Sequence, residues 1–285
     1  MYYYTKIMNN KKNRTDNLNK KIEKGETLEL NGMEISLKRI SNIKYSRNTI
    51  YANNTLVGAI ERTIGQDVPV ATNNLSFVSS LRLLSIASTN INDTAAGTGG
   101  RTILIVGLDF NFNTKVETIS LNGRTPVNTI NQYLRINEMI LSSSGSLNTN
   151  QGIIYCSDST DTFSLGVPQN RVYDIMDISN GLSKTGIYTI PNGFKMIGEM
   201  INISTNATET KPAVIKVYRT DNVNSDISTE ILFDTIYLAG NVSYDTSDNF
   251  AFSSPDNIRI TAKSSGGSTI EVALKYDTIS LNLTK

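Results

Sequence analysis

Residues 101–123, RTILIVGLDFNFNTKVETISLNG, decide the fold. Two strand-like runs rich in Ile, Val, Leu and Thr follow one another, RTILIVGLDFNF (101–112) and KVETISLNG (115–123). In the second run Val116, Thr118, Ser120 and Asn122 point one way while Glu117, Ile119 and Leu121 point the other. A repeat of two, with one face drier than the other, marks a half-buried strand rather than a helix. Asn122-Gly123 then supplies a residue pair that tolerates positive φ, as a tight reversal requires.

The same pattern recurs on both sides. Toward the N-terminus lies LSFVSSLRLLSIAS (75–88); toward the C-terminus follow YLRINEMILSS (133–143), GIIYCS (152–157) and DTFSLGV (161–167). Beyond a looser stretch come GIYTIP (186–191), GFKMIGEMINIS (193–204), AVIKVYRT (213–220), TEILFDTIYLAG (229–240), NIRITAKS (257–264) and STIEVALKYDTISLNL (268–283). In the last, Ile270, Val272 and Leu274 share one face. About a dozen short strands separated by Gly, Asn, Ser and Pro predict an all-β protein, an antiparallel β-sandwich of jelly-roll-like type. Long helical patterns between strands, which a parallel α/β sheet requires, are lacking. Gly99-Gly100, Asn192-Gly193 and Gly266-Gly267 are read, with Asn122-Gly123, as positive-φ turns.

Before these strands the composition changes. Residues 1–55 are read as a basic, extended N-terminal arm: through Arg47 there are eleven basic and five acidic side chains, leaving sixteen basic and twenty-one acidic for the rest. Around Asn31-Gly32, TLELNGMEIS alternates apolar and polar residues and predicts a small hairpin within the arm. Residues 56–70 are read as a linker or short helix, and 71–285 as the sandwich, divisible into about 71–170 and 171–285.

Composition excludes more chemistry than it allows. The 285 residues contain no histidine and one cysteine, Cys156. That removes Ser-His-Asp and Cys-His catalysis, imidazole-ligated zinc and any disulfide framework. The net charge of +1 provides no global field toward nucleic acid or membrane. No run reaches the ~20 apolar residues needed to cross a bilayer, so the chain reads as soluble and made in the host cytoplasm. Gly97, Gly99 and Gly100 precede a strand instead of opening a helix and lack the GK[ST] ending, so a flexible inter-strand loop is expected there, not a phosphate cradle. Asp158 with Asp161, or Asp174 with Asp177, are the acid pairs a histidine-free glycosidase would need, and the same oxygens are the candidates for calcium; turn acids at this spacing ordinarily cap turns. No catalytic residue, cofactor or metal is expected.

The arm is the candidate interface, with Tyr2, Tyr3, Tyr4, Lys11, Lys12, Arg14, Lys20 and Lys21 as its contact residues. Threading across a neighbouring subunit accounts for its apolar anchors. Contact of the lysines with a genome is the second role open to it.

The stretch NDTAAGTGGRTILIVGLDFNFNTKVETISLNGRTPVNTINQYLRINEMIL (92–141), followed by NQGII (150–154), resembles structural virion proteins of marine bacteriophages and large DNA viruses. TGIYTIPNGFKMIGEMINIS (185–204), AVIKVYRT and SPDNIRITAKSSGGSTIEVALKYDTISL (254–281) are similar to the C-terminal part of such proteins. The resemblance implies a capsid, capsid-decorating, vertex or head-fibre component of the virion, without active-site residues. It implies self-assembly, favouring a homotrimer, and docking on neighbouring capsid proteins. The alternative is a host-recognition module binding carbohydrate through Asn-, Thr- and Tyr-rich loops; an enzyme degrading polysaccharide is the third reading.

Overall fold

The computed structural model describes residues 27–30, 33–36, 45–57, 61–63, 75–208, 211–220, 230–240, 242–246, 250–264 and 268–280. Among them every ordered element is a strand, and every pair of strands is antiparallel. The exception to antiparallel pairing is the isolated bridge between Leu75 and Val172.

The arm contributes β1 (Thr27–Leu30), β2 (Met33–Ser36) and β3 (Tyr45–Val57). β1 and β2 pair from Thr27↔Ser36 to Leu30↔Met33, which is the hairpin expected around Asn31-Gly32. The tail end of the same segment behaves differently from a free arm. β3 lies along the last long strand, β21 (Ser268–Ser280), from Tyr45↔Ile279 to Val57↔Ser268. Its register sets Ile50 opposite Leu274 and Ala52 opposite Val272, and Ala52 is buried. The abundance of Asn, Ser and Thr between them hides the pattern in sequence. Of the segment read as a linker or short helix, Leu56 and Val57 end β3 and Arg62–Thr63 form β4, while 58–60 and 64–70 lie outside the described residues. Thr63 and Arg62 are β-paired with Thr261 and Ala262 at the side of β20 (Asn257–Ser264).

Residues 84–176 build the first two-layer stack. Its strands are β5 (Leu84–Ser88), β6 (Gly100–Leu108), β7 (Thr114–Ser120), β8 (Val127–Asn128), β9 (Arg135–Ser144), β10 (Ile154–Asp158), a small hairpin of β11 (Phe163–Ser164) and β12 (Val167–Pro168), and β13 (Asp174–Met176). One sheet has the order β13-β10-β5-β8 and the other β7-β6-β9, so the chain passes repeatedly between layers. Ile86, Ile103, Ile105, Ile119, Ile136, Met139, Ile154 and Cys156 fill the space between them. Each fully buried Ile or Leu contributes about 1.5–3 kcal/mol. The LSFVSSLRLLSIAS run is not one strand. Only Leu84–Ser88 pairs continuously, while Leu75 and Arg82 touch neighbours through single bridges. β5 and β10 are buried along their whole lengths, and on the second face of their sheet Tyr155 and Ile175 pack with Leu75, Val172 and Ile187.

The second stack uses β14 (Ile187–Thr189), β15 (Phe194–Thr205), β16 (Ala213–Thr220), β17 (Glu230–Leu238), β18 (Val242–Thr246), β19 (Phe250–Ser253) and β20 (Asn257–Ser264) with β3, β4 and β21. One sheet is β14-β20-β16-β17 with β4 beside β20; the other is β18-β15-β21-β3 with β19 beside β15. Ile203, Ile215, Val217, Ile236, Phe252, Ile258, Ile260, Ile270, Val272 and Leu274 form its core. The expected face of β21 is therefore inside, and Glu271 between those residues is exposed.

A polar seam joins the stacks. The buried guanidinium of Arg135 lies 5.6 Å from the Phe77 ring and 5.7 Å from that of Phe112. It donates to the carbonyls of Val78 and Leu134 and to Oδ1 of Asn257 on β20. The Asn137 amide donates to the Thr189 carbonyl at 2.8 Å and its oxygen accepts the Thr189 N–H at 2.9 Å. Of the expected positive-φ turns, Gly123 (φ 60°) and Gly193 (φ 78°) adopt that conformation. Gly99 and Gly100 do not, for a reason given below, and Gly266-Gly267 lie outside the described residues.

Candidate functional site

The glycine-rich loop is organised around an anion of its own. Asp93 is completely buried. Its Oδ1 accepts the N–H groups of Gly100 at 2.7 Å and Gln151 at 2.9 Å; Oδ2 accepts the Gly152 N–H at 2.8 Å and the Ser88 hydroxyl at 2.6 Å. Its carbonyl also accepts the Gly123 N–H at 2.7 Å. A Cβ on Gly99 would sit 2.2 Å from Asp93 Oδ1, and one on Gly97 would sit 2.0 Å from the Asn92 carbonyl oxygen. The glycines are required by close approach to this carboxylate and its neighbours, not by left-handed backbone. The donors a phosphate would need are already taken by an internal carboxylate, which would repel a second anion. NDTAAGTGG, LNG and NQGII, far apart in sequence, are thus parts of one clasp.

The candidate acids are similarly engaged. Asp158 is ion-paired with Arg82 and accepts the Thr160 N–H at 3.0 Å and its hydroxyl at 2.9 Å. Burial pushes its carboxyl upward, but these hydrogen bonds and the guanidinium outweigh that and hold it below the usual range. Asp161 accepts the Ser157 hydroxyl, the Asn170 amide and the backbone N–H groups of Asn170 and Arg171, which likewise overcome burial and lower it. Both stay ionised and clasp turns. Asp174 is different. It is buried, and its Oδ1 accepts the Thr185 hydroxyl and the Ile175 N–H, each at 3.0 Å. Burial raises it to about 7, with Glu138 adding to the rise. Cys156, opposite Asp174 in the ladder, is buried and its thiol is pushed up by burial and by that carboxyl, so it is an inert core residue. Among the described residues no three His, Cys, Asp or Glu side chains come together as a metal site would require.

On the outer face of the second stack, Glu61 accepts the Lys216 ammonium at 2.6 Å and the hydroxyls of Tyr218 and Thr261 at 2.7 Å each. Burial pulls its carboxyl up, yet these donors bring it down to about 2. Arg259 stacks 4.8 Å from the Tyr218 ring and is ion-paired with Glu230 of β17. This network fastens the β4 segment and β17 to the sheet.

Tyr2, Tyr3, Tyr4, Lys11, Lys12, Arg14, Lys20 and Lys21, the expected contact residues of the arm, lie outside the described residues. What the structure adds is a surface. β17 ends its sheet, and among the described residues no strand lies on its far side. Along it Ile231, Leu232, Phe233 and Tyr237 are 53, 48, 45 and 73 % exposed. A register shift between Val217 and Tyr218 of β16 leaves Phe233 as the extra residue, with Leu232 opposite Tyr218. Phe233 turns inward against Phe252, ring centroids 5.0 Å apart, while Leu232 and Tyr237 share the outer face. The sequence carried a signal for this: Ile231-Leu232-Phe233 breaks the alternation with three apolar residues in a row, so both faces of the strand are apolar.

No family model and no curated protein matches the chain. Among solved structures it is similar to the cowpea mosaic virus top component, naturally occurring empty particles, at 10 % identity over 70 % of this chain and 82 % of that one, TM-score 0.20. It is also similar to the infectious bursal virus derived T=1 particles, at 12 % identity over 85 % of this chain and 70 % of that one, TM-score 0.20. Arthrobacter globiformis isomalto-dextranase complexed with panose matches at 7 % identity over 81 % of this chain and 34 % of that one, TM-score 0.23. Likenesses this distant carry no argument about function.

Proposed function

We propose that this chain is a structural virion protein of the capsid, decoration or head-fibre kind, and that it works by assembling with copies of itself and with neighbouring capsid subunits, not by catalysis. The observation that carries the reading is the edge of β17, on whose far side no strand lies among the described residues. A nine-residue strand with an open hydrogen-bonding side and Ile231, Leu232, Phe233 and Tyr237 exposed is what a lone protein avoids and an assembling one uses. The interior supports the same reading. Asp93, Asp158 and Asp161, the acids most like a functional constellation, each hold the chain's own loops. The sequence resemblance to virion proteins supports a place in the virion.

Mass spectrometry of density-gradient-purified particles from cells making this protein tests the proposal. It expects the chain to co-purify with particles in a fixed ratio to the other shell proteins through a high-salt wash. Recovery only in the particle-free supernatant contradicts it.

A further inference from the structure

We propose that the open edge of β17 receives residues 2–8, YYYTKIM, from the N-terminal arm of another copy, added as a further strand. The inference rests on the assembly reading above and names the contact that performs it. Three observations choose this occupant.

First, β17 is poorly suited to pairing with itself. An antiparallel pair of β17 strands centred on the two-fold sets Asp234 opposite Asp234, and like charges directly opposite destabilise a ladder. Second, the charges complement. Residues 1–47 hold eleven basic and five acidic side chains against sixteen and twenty-one in the remainder, and 2–8 contain Lys6 and no acid. β17 carries Glu230, which is paired with Arg259, and the half-buried Asp234, and no basic residue. Third, the segment has the composition of a strand with two apolar faces. Tyr2, Tyr4 and Met8 alternate with Tyr3, Thr5 and Ile7, and Tyr, Thr and Ile favour extended backbone. That matches an edge whose apolar side chains lie on both faces, Leu232 and Tyr237 outside and Phe233 inside. Main-chain hydrogen bonds would give the affinity and the alternate side chains the fit.

Reach permits a second copy as the donor. Eighteen residues, 9–26, separate the segment from β1, enough to span about 60 Å when extended. The arm re-enters the body at β3, one edge of the β18-β15-β21-β3 sheet. β17 stacks through Phe233 on Phe252 of β19, beside β15 and on the side away from β3.

The test uses full-length chains in the native background, since Cys156 is buried and unreactive. Copies carrying Tyr3→Cys are mixed with copies carrying Leu232→Cys, oxidised, and run on a non-reducing gel beside a light-scattering measurement of each. Leu232 is half exposed, so its replacement leaves the core untouched; Tyr237→Cys serves as a second site if Leu232→Cys unfolds. The expected result is a disulfide-linked pair containing one chain of each kind, and a lower light-scattering mass when residues 2–8 are deleted from the otherwise unsubstituted chain. Oligomers without the mixed disulfide would overturn this contact while leaving the assembly reading intact. A disulfide that forms only within a chain bearing both substitutions would overturn the exchange between copies. Monomers at every concentration would overturn both.

Discussion

Asp93 concentrates the logic of the first stack in one side chain. Four donors, three of them backbone N–H groups from two separate loops, converge on its two oxygens in a site closed to water. Removing the carboxylate strands those donors, and each buried unsatisfied group costs about 1–3 kcal/mol. Asp93→Ala is therefore expected to lower stability by about 3 kcal/mol or more in urea unfolding. Asp109→Ala, which removes acceptors for the exposed N–H groups of Asn111 and Asn113, should cost less than about 1 kcal/mol. Equal losses would show that burial of the Asp93 clasp is not what matters. Asp174 makes the pH prediction. Its folded-state value near 7 is above the ordinary carboxylate value of about 3.9, so the stability it contributes is complete below about pH 4 and is lost as pH rises to about 7. Glu61, Asp158 and Asp161, all lowered, act in the opposite sense: their contribution is present above their ordinary values and is lost on acidification. Chemical unfolding across pH 4–8 should show a decline toward neutrality that Asp174→Asn removes; an unchanged decline in that variant would contradict the assignment.

Individual elements show which parts of the fold the sequence makes legible. β16 and β20 coincide with their apolar runs, AVIKVYRT and NIRITAKS, and in β16 the two faces are written as alternation of buried and half-buried positions. β3 could not be read that way. Its ladder to β21 is long, but most of its side chains are polar and its place is set by a partner more than two hundred residues distant. β8, β13 and β14 are two or three residues long and exist through tertiary pairing alone. The GTGG loop was legible as glycine-rich but not as a clasp, since Gln151 and Gly152 arrive from a different turn. At the edge of the second stack, Leu232→Lys places a charge where the open strand needs apolar cover. Circular dichroism melting should be unchanged within about 0.5 kcal/mol, as for exposed sites generally, while self-association weakens. A large loss of melting temperature would mean that Leu232 is part of the core.

At the scale of the whole molecule, two stacked-sheet cores are joined through Arg135, Asn137, Thr189 and Asn257, groups whose hydrogen bonds are directional and buried. Such a seam fixes the two halves in one orientation, which a repeating assembly requires. Arg135→Met keeps bulk but abandons the carbonyls of Val78 and Leu134 and the amide oxygen of Asn257; it should broaden or split the thermal transition as well as lower it. A single sharp transition at the wild-type temperature would remove the seam from the account. What the surface then does is the central claim, and light scattering of the purified full-length chain over a wide concentration range measures it directly. The account predicts a molar mass that is a multiple of 31.3 kDa and falls toward that value when the β17 edge carries Leu232→Lys. A mass of 31.3 kDa at every concentration, for wild type and variant alike, would contradict it.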